Sequence, residues 1–265
     1  MVQGSNNCLL KVLPMARLEG KVIVVTGAGR GLGRAFAERI CAEGGRVAIA
    51  EIISEWGERT AQDLQAQGHE AVFIQTDIAS ATSVNNMAAQ VAERWGGIDG
   101  LVNNAAIASG IGGKRFDEIS EEVWDKVMSV NVKGTWLAVR AVVPYMRPRG
   151  KGKIVNLASD TALWGAPVLL HYVSSKGAII AMTRSLAREL GDDNIAVNAI
   201  APGLTLVEAT ETVSPMRHQL YVEGRAIKRQ QLPEDITGTV VYLLSDDADF
   251  VTGQLLPING GFVFD

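Results

Sequence analysis

Short β-branched runs alternate with longer amphipathic stretches along the whole chain, and this alternation limits the possible folds more than any other feature. Lys21 to Thr26 (KVIVVT) is apolar without polar interruptions, as a strand buried on both faces must be. Similar runs occupy Arg46 to Glu51, Ala71 to Thr76, Gly100 to Asn103, Lys153 to Leu157, Ala196 to Ile200 and Gln254 to Ile258. Helical patterning fills the intervals: to Glu43, Ser54 to Gln67, Ser80 to Trp95, Glu121 to Met146 with a break near Ser129, His171 to Leu190, and Pro233 to Leu244. Glycines stop several of these stretches, and Pro233 sits where a helix start tolerates its missing N–H. The pattern predicts an α/β fold: one doubly wound domain, a seven-stranded parallel sheet with helices on both faces and right-handed crossovers. No linker, repeat or low-complexity tract divides it, so 15–265 reads as a single domain. Residues 1–14 read as a flexible N-terminal extension, with Met15 as an alternative start. Residues 204–232 fit no regular element and read as a substrate-binding lid.

Composition narrows the partners. Hydrophobic residues make up 47% and charged residues 20%, which suits a chain that buries a large core. The net charge is -4 with both signs dispersed. Without a basic stripe, nucleic acid is excluded as a partner. The acidic balance and the lack of a run of roughly 20 apolar residues exclude a membrane association. Cys8 and Cys41 make no disulfide framework and read as reduced thiols of a cytoplasmic protein. His69, His171 and His218 are scattered, so no metal site is expected.

The first strand runs into Thr-Gly-Ala-Gly-Arg-Gly-Leu-Gly and then a helix. Strand, glycine turn and helix in that order form a Rossmann-type dinucleotide site. Gly27 and Gly31 let the backbone turn tightly, Gly33 lets the helix pack on the strand, and Arg30 and Leu32 complete the turn. The helix N-terminus offers free N–H groups and partial positive charge to a pyrophosphate. Glu51 ends the second strand twenty positions after Gly31. A carboxylate there accepts from the ribose hydroxyls of NAD and repels the 2′-phosphate of NADP. Arg30 could pair with that phosphate, but Glu51 decides for NAD over NADP. Asp77, with Ile78 beside it, could accept from the adenine amino group or simply serve a helix start.

Tyr172 and Lys176 stand four residues apart on one helix face. Ser159 ends the fifth strand thirteen positions earlier. Ligands of open α/β sheets bind beyond the carboxyl ends of the strands, so these three side chains can converge on the nicotinamide end of the cofactor. A Tyr/Lys pair alone is more often a surface contact. Joint occurrence with Ser159 and the glycine turn reverses that reading.

From about Leu18 onward the chain resembles the short-chain dehydrogenase/reductase family. The resemblance rests on the Thr26-to-Gly33 turn, Asn103-Asn104-Ala105-Ala106, Asn131, Ser159, Tyr172 with Lys176, and Pro202-Gly203. It implies that Tyr172 exchanges a proton with the substrate oxygen, that Lys176 favours the phenolate and holds the nicotinamide ribose, and that Ser159 hydrogen-bonds the substrate oxygen. It further implies that Asn131 holds a water linked to Lys176, and that Asn104, Ala105 and Val130 line the cofactor. Pro202-Gly203 would bend the chain beneath the nicotinamide. Two departures stand out. Ala106 replaces a usual glycine, and Val207 falls where a threonine commonly meets the carboxamide, which leaves Thr205 as the candidate for that contact.

The substrate pocket is expected from Ser159, Asp160, Trp164, Leu169, Tyr172 and Val207. Their apolar share points to an apolar or aromatic secondary alcohol and its ketone as the small-molecule substrate. The apolar end Gly260 to Asp265, together with the family resemblance, implies a homotetramer. Two rivals stand beside the NAD-dependent alcohol dehydrogenase. One is an NADPH-dependent carbonyl or ketoacyl reductase, and the other is a non-catalytic dinucleotide-sensing protein.

Overall fold

A computed structural model describes Ala16–Asp265; the extension read over 1–14 and the alternative start at Met15 lie outside the described residues. The strands are β1 (Val22–Thr26), β2 (Arg46–Glu51), β3 (Ala71–Gln75), β4 (Gly100–Asn103), β5 (Gly152–Leu157), β6 (Ile195–Pro202) and β7 (Leu255–Ile258). They form one sheet in the order β3-β2-β1-β4-β5-β6-β7, with every pair parallel. The order reverses between β1 and β4, which opens a crevice beyond the carboxyl ends of the strands.

The helices are α1 (Gly31–Ala42), α2 (Ser54–Ala66), α3 (Ala81–Trp95), α4 (Glu121–Met128), α5 (Thr135–Met146), α6 (Thr161–Trp164), α7 (Leu170–Glu189), α8 (Pro215–Gly224) and α9 (Glu234–Leu244). The continuous apolar runs of the strands feed two helical layers. In β1, Val22 and Val24 pack with Val84 and Met87 of α3 and with Leu137 and Val142 of α5. Ile23 and Val25 face the other way, onto Phe36 and Ile40 of α1 and Ile236 and Val240 of α9. Each such fully buried side chain contributes about 1.5–3 kcal/mol.

The expected break near Ser129 is a π-helical turn over Ser129–Gly134 that joins α4 to α5. A Cβ on Gly134 would lie 2.9 Å from Ile78 Cδ1, so this turn is pressed against the loop after β3.

Residues 204–232 correct the expectation of an irregular segment. They hold a 3-10 turn over Glu208–Thr210 and the helix α8. Ser214 caps α8 by accepting from Arg217 N, and Pro215 occupies its first turn. The segment's two ends are pinned together by a bridge between Thr205 and Gln231.

A buried polar ladder crosses the sheet. Asn103 Nδ2 donates to Asn156 Oδ1 at 2.9 Å, and Asn156 Nδ2 donates to Thr183 Oγ1 on α7 at 2.9 Å. It ties two central strands to the helix that carries Tyr172 and Lys176.

Candidate active site

The glycine turn is held from outside. Asn104 Nδ2 donates to Thr26 O and Gly27 O, both at 3.0 Å, and the backbone N–H groups of Asn104 and Ala105 donate to Thr26 Oγ1. Asn104 thus acts on the turn itself. A Cβ on Gly33 would lie 2.1 Å from Gly27 O and 2.5 Å from Asn104 Nδ2. Gly27 has φ +65 and would meet Ala105 Cα at 2.8 Å. Gly31 has φ +57 but open space before it, with Val207 Cβ 3.7 Å from the place of a Cβ.

These features fit a dinucleotide. No side chain caps α1, and its first turn carries no acidic residue, so its leading N–H groups are free for an anion. A cleft of about 490 Å³ runs between this end of α1 and the 204–232 segment, with Gly31, Arg34, Leu206, Val207 and Thr210 on its walls. Leu32, in the first turn of α1, is half-buried with its side chain against the core, leaving its backbone to the turn.

Glu51 is buried where β2 ends. Its carboxylate accepts from Gly29 N at 3.2 Å, Ile52 N at 2.9 Å and Ile53 N at 3.1 Å. Three backbone donors fix its position and leave further lone pairs for ligand hydroxyls. The exposed Arg30 lies over the Trp56 ring, 4.0 Å from its centroid. Asp77 accepts from Ala79 N at 2.9 Å, the helix-start role the sequence left open. The Ile78 side chain is turned into the core against Gly134, which leaves only its backbone to line a ligand. Val130 is half-buried against the same core.

Ser159, Tyr172 and Lys176 meet beyond the end of β5. Ser159 Oγ accepts from Thr161 Oγ1 at 2.9 Å and from Thr161 N at 3.3 Å, so its own proton is available to a third group. Tyr172 lies beside Ser159, whose hydroxyl acts on its phenol. Burial pushes the phenol up to about 12; the neighbouring Ser159 hydroxyl opposes this and the Asp160 charge adds to it. Lys176 Nζ donates to Leu157 O at 2.7 Å and lies 5.6 Å from the Tyr172 ring centroid. Burial lowers its ammonium to about 8.

Asn131 occupies the π-helical turn, fully enclosed. Its Oδ1 accepts from Ile107 N at 2.8 Å, and its Nδ2 donates to Ile107 O and to Ser175 Oγ. The side chain therefore joins the loop after β4 to the residue preceding Lys176. Pro202 ends β6, and Gly203 N donates to Ile258 O at 3.1 Å. Gly203 packs against Asp160, Gln231 and Asn259. Thr205 is buried, with its hydroxyl donating to Gly203 O at 3.0 Å.

Of the expected substrate contacts, Leu169 is half-buried at the start of α7, its Cδ1 3.6 Å from where a Cβ on Gly112 would stand. Trp164 lies edge-on to Tyr221 and Phe262. Two expectations are corrected. Val207 lines the cleft beside Gly31, because the chain after β6 folds back over the glycine turn. Asp160 does not line a pocket: it is fully buried and its Oδ1 accepts from Tyr221 Oη at 2.8 Å. The sequence reading gave no role to Thr161, which donates to Ser159, or to Tyr221 and Arg225 of the 204–232 segment, which are buried. Phe262 likewise stacks on its own chain's Tyr221, at 4.3 Å between centroids, while Phe264 is exposed.

The family model described as enoyl-(acyl carrier protein) reductase matches residues 27–263. The chain is 35% identical to a 3-oxoacyl-(acyl-carrier-protein) reductase of Staphylococcus epidermidis, over 91% of this chain and 98% of the relative. It is 38% identical to the 2,5-dichloro-2,5-cyclohexadiene-1,4-diol dehydrogenase of Sphingobium indicum, over 94% and 99%. The crystal structure of levodione reductase superimposes with a TM-score of 0.86 at 30% identity, covering 92% of this chain and 98% of that one. Likeness of that extent, over nearly whole chains, makes this chain a member of the short-chain dehydrogenase/reductase family of oxidoreductases.

Proposed function

We propose that this chain is an NAD-dependent oxidoreductase that interconverts an apolar or aromatic secondary alcohol and its ketone, with Tyr172 as the proton-transfer residue. The observation that carries the reading is the gathering of Ser159 and Tyr172 at the carboxyl end of β5, with Lys176 Nζ buried 5.6 Å from the Tyr172 ring centroid. Bound NAD⁺ would supply the acceptor for the hydride leaving the carbinol carbon. The glycine turn and the uncapped α1 terminus would hold its pyrophosphate, Glu51 its adenosine ribose, and Lys176 its nicotinamide ribose. Asn104, Ala105, Val130 and the Pro202-to-Thr205 bend would line the rest.

Ser159 donates to the substrate oxygen and places it against Tyr172. On oxidation the alcohol gives its hydroxyl proton to the Tyr172 phenolate as the C–H bond breaks, so one hydride and one proton leave together. On reduction the phenol returns the proton to the carbonyl oxygen. A phenol held near 12 is a poor base at neutral pH. A positive charge brought beside it lowers that value, and Lys176 turned from Leu157 O toward the ring provides one. Asn131 keeps the loop after β4 against α7 and retains an Oδ1 lone pair for a water on the proton path.

Leu169 and Trp164 present apolar surface to the pocket, and residues 204–232 cover it as a lid. The active form is a cytoplasmic homotetramer. Screening secondary alcohols with NAD⁺, and following the absorbance of the reduced cofactor, tests the reading. If no alcohol is oxidised by the native chain, or if Tyr172→Phe oxidises it equally well, the assignment is wrong.

A second reading is favoured by one observation. The exposed Arg30, stacked on Trp56, stands at the turn where it could meet a 2′-phosphate. An NADPH-dependent carbonyl reductase would use it so. Dissociation constants for NADH and NADPH separate the two, and tighter NADPH binding by about tenfold would favour the second.

A further inference from the structure

One buried acid beside the site has no part in the proton transfer. Asp160 follows Ser159 directly and is 0% exposed. Its backbone N donates to Pro202 O at 3.1 Å, which turns its side chain under the end of β6. Oδ1 accepts from Tyr221 Oη, whereas Oδ2 is buried with no partner. Tyr221 belongs to α8, in the lid. Its ring stacks on Phe262, and its oxygen also accepts from Trp164 Nε1 at 3.3 Å. One turn along α8, Arg225 donates to Leu204 O, Gln231 Oε1 and Asn259 O. Both ends of the lid and the C-terminal segment are therefore gathered at the residue adjoining Ser159. A phenylalanine facing a leucine would fill this space without the desolvation cost of an acid, so packing alone does not account for the pair.

We propose that Asp160 and Tyr221 are positioning residues whose hydrogen bond docks the lid helix onto the Ser159 loop, so that lid closure and the placement of the Ser159 hydroxyl are set together. The proposal rests on the reading of 204–232 as the substrate lid.

Docking is linked to a proton. The groups that act on the Asp160 carboxyl are Tyr221 and Arg217 from α8, Arg225 just after it, Tyr172 from α7, and the Thr161 N–H of its own loop. Burial pushes the carboxyl up to about 7 against the Tyr221 hydrogen bond and the two arginine charges. With the lid undocked, Asp160 would regain water and titrate back in the ordinary carboxylate range. The docked form holds the proton more tightly. Docking is thus strongest below the undocked value, weakens as pH rises to about 7, and is level above it.

Trypsin reads the docking without turnover, because Arg217, Arg225, Lys228 and Arg229 place cleavage sites in the lid. Tyr221→Phe keeps the ring on Phe262 and removes the donor. Its lid should be cut about tenfold faster, and the KM for ketone should rise by a similar factor while the Kd for cofactor changes less than about twofold. Asp160→Asn is neutral at every pH and still accepts from Tyr221. The ratio of wild-type to Asp160→Asn cutting rates cancels the protease's own pH dependence, and should rise between about pH 5 and about pH 7. Wild-type cutting of a normally melting Tyr221→Phe overturns the docking role, and a flat ratio overturns the proton linkage. If Tyr221→Phe does not fold, the Asp160→Asn ratio decides. A chain inactive on every alcohol tried would sink the proposed activity while these cutting rates still decide the docking.

Discussion

Gly33 is the position where a single added methyl group tests the cofactor turn most severely. An alanine Cβ there would stand 2.1 Å from Gly27 O and 2.5 Å from Asn104 Nδ2, both inside any permissible contact. Neither neighbour can yield alone, since Asn104 Nδ2 is bonded to Thr26 O and Gly27 O and so forms one unit with the turn. Overpacking of this kind costs about 1–3 kcal/mol, and loss of the two hydrogen bonds adds about 1 kcal/mol each. A total of roughly 3–5 kcal/mol lowers the Tm of a chain this size by roughly 6–20 °C. The displaced turn should also weaken NAD binding by at least about tenfold, because the N–H groups aimed at the pyrophosphate move with it. Gly31→Ala is the control. Its Cβ meets nothing closer than 3.7 Å, so only the φ +57 conformation resists it, at about 1–2 kcal/mol. Differential scanning calorimetry and titration calorimetry with NAD measure both quantities. A Gly33→Ala protein that melts and binds like wild type would refute the steric reasoning.

Three further outcomes are expected. Tyr172→Phe should lower kcat by about a hundred- to ten-thousand-fold in stopped-flow assays while the Kd for NAD stays within about threefold. Glu51→Gln should lower the ratio of NADPH to NADH dissociation constants by about tenfold, and an unchanged ratio would remove Glu51 from cofactor choice. Lys176 has its folded pKa lowered to about 8 from 10.5, so the unfolded chain binds the extra proton between those values and stability should rise with pH across that window. The urea midpoint of wild type relative to Lys176→Met should therefore climb between about pH 8 and about pH 9.5, below the range where Tyr172 titrates.

The sheet was legible because its central strands are buried on both sides and so carry nearly continuous apolar runs, as in Val22–Thr26. The π-helical turn was legible as a break, since Ser129 to Gly134 interrupts a long amphipathic stretch. What that break does was not legible. The partners of Asn131 are Ile107 and Ser175, twenty-four and forty-four positions away, and no local pattern encodes such pairs. The helix α8 was hidden for a different reason. Met216 and Leu220 are exposed, so its apolar residues trace no clean stripe. Its start was nonetheless written in Ser214-Pro215, a cap followed by a proline in the first turn.

Asp160 shows most clearly why adjacency in sequence misleads near a site. As the neighbour of Ser159 it reads as a pocket residue. Yet a strand end that turns into a short helix sends successive side chains in different directions. Ser159 faces Tyr172, and Asp160 turns under β6 to meet Tyr221, sixty-one positions on. The glycine turn, α7 and β5 can be assigned one element at a time, because each carries its own pattern. The 204–232 segment cannot, since Tyr221, Arg225 and Phe262 acquire their contacts only where α8, the Ser159 loop and the C-terminal segment converge. If that convergence controls the substrate's access to Ser159, relatives sharing the Tyr172 and Lys176 machinery can differ in substrate through the lid alone. Exchanging residues 204–232 should then move substrate preference while leaving the proton chemistry of Tyr172 in place.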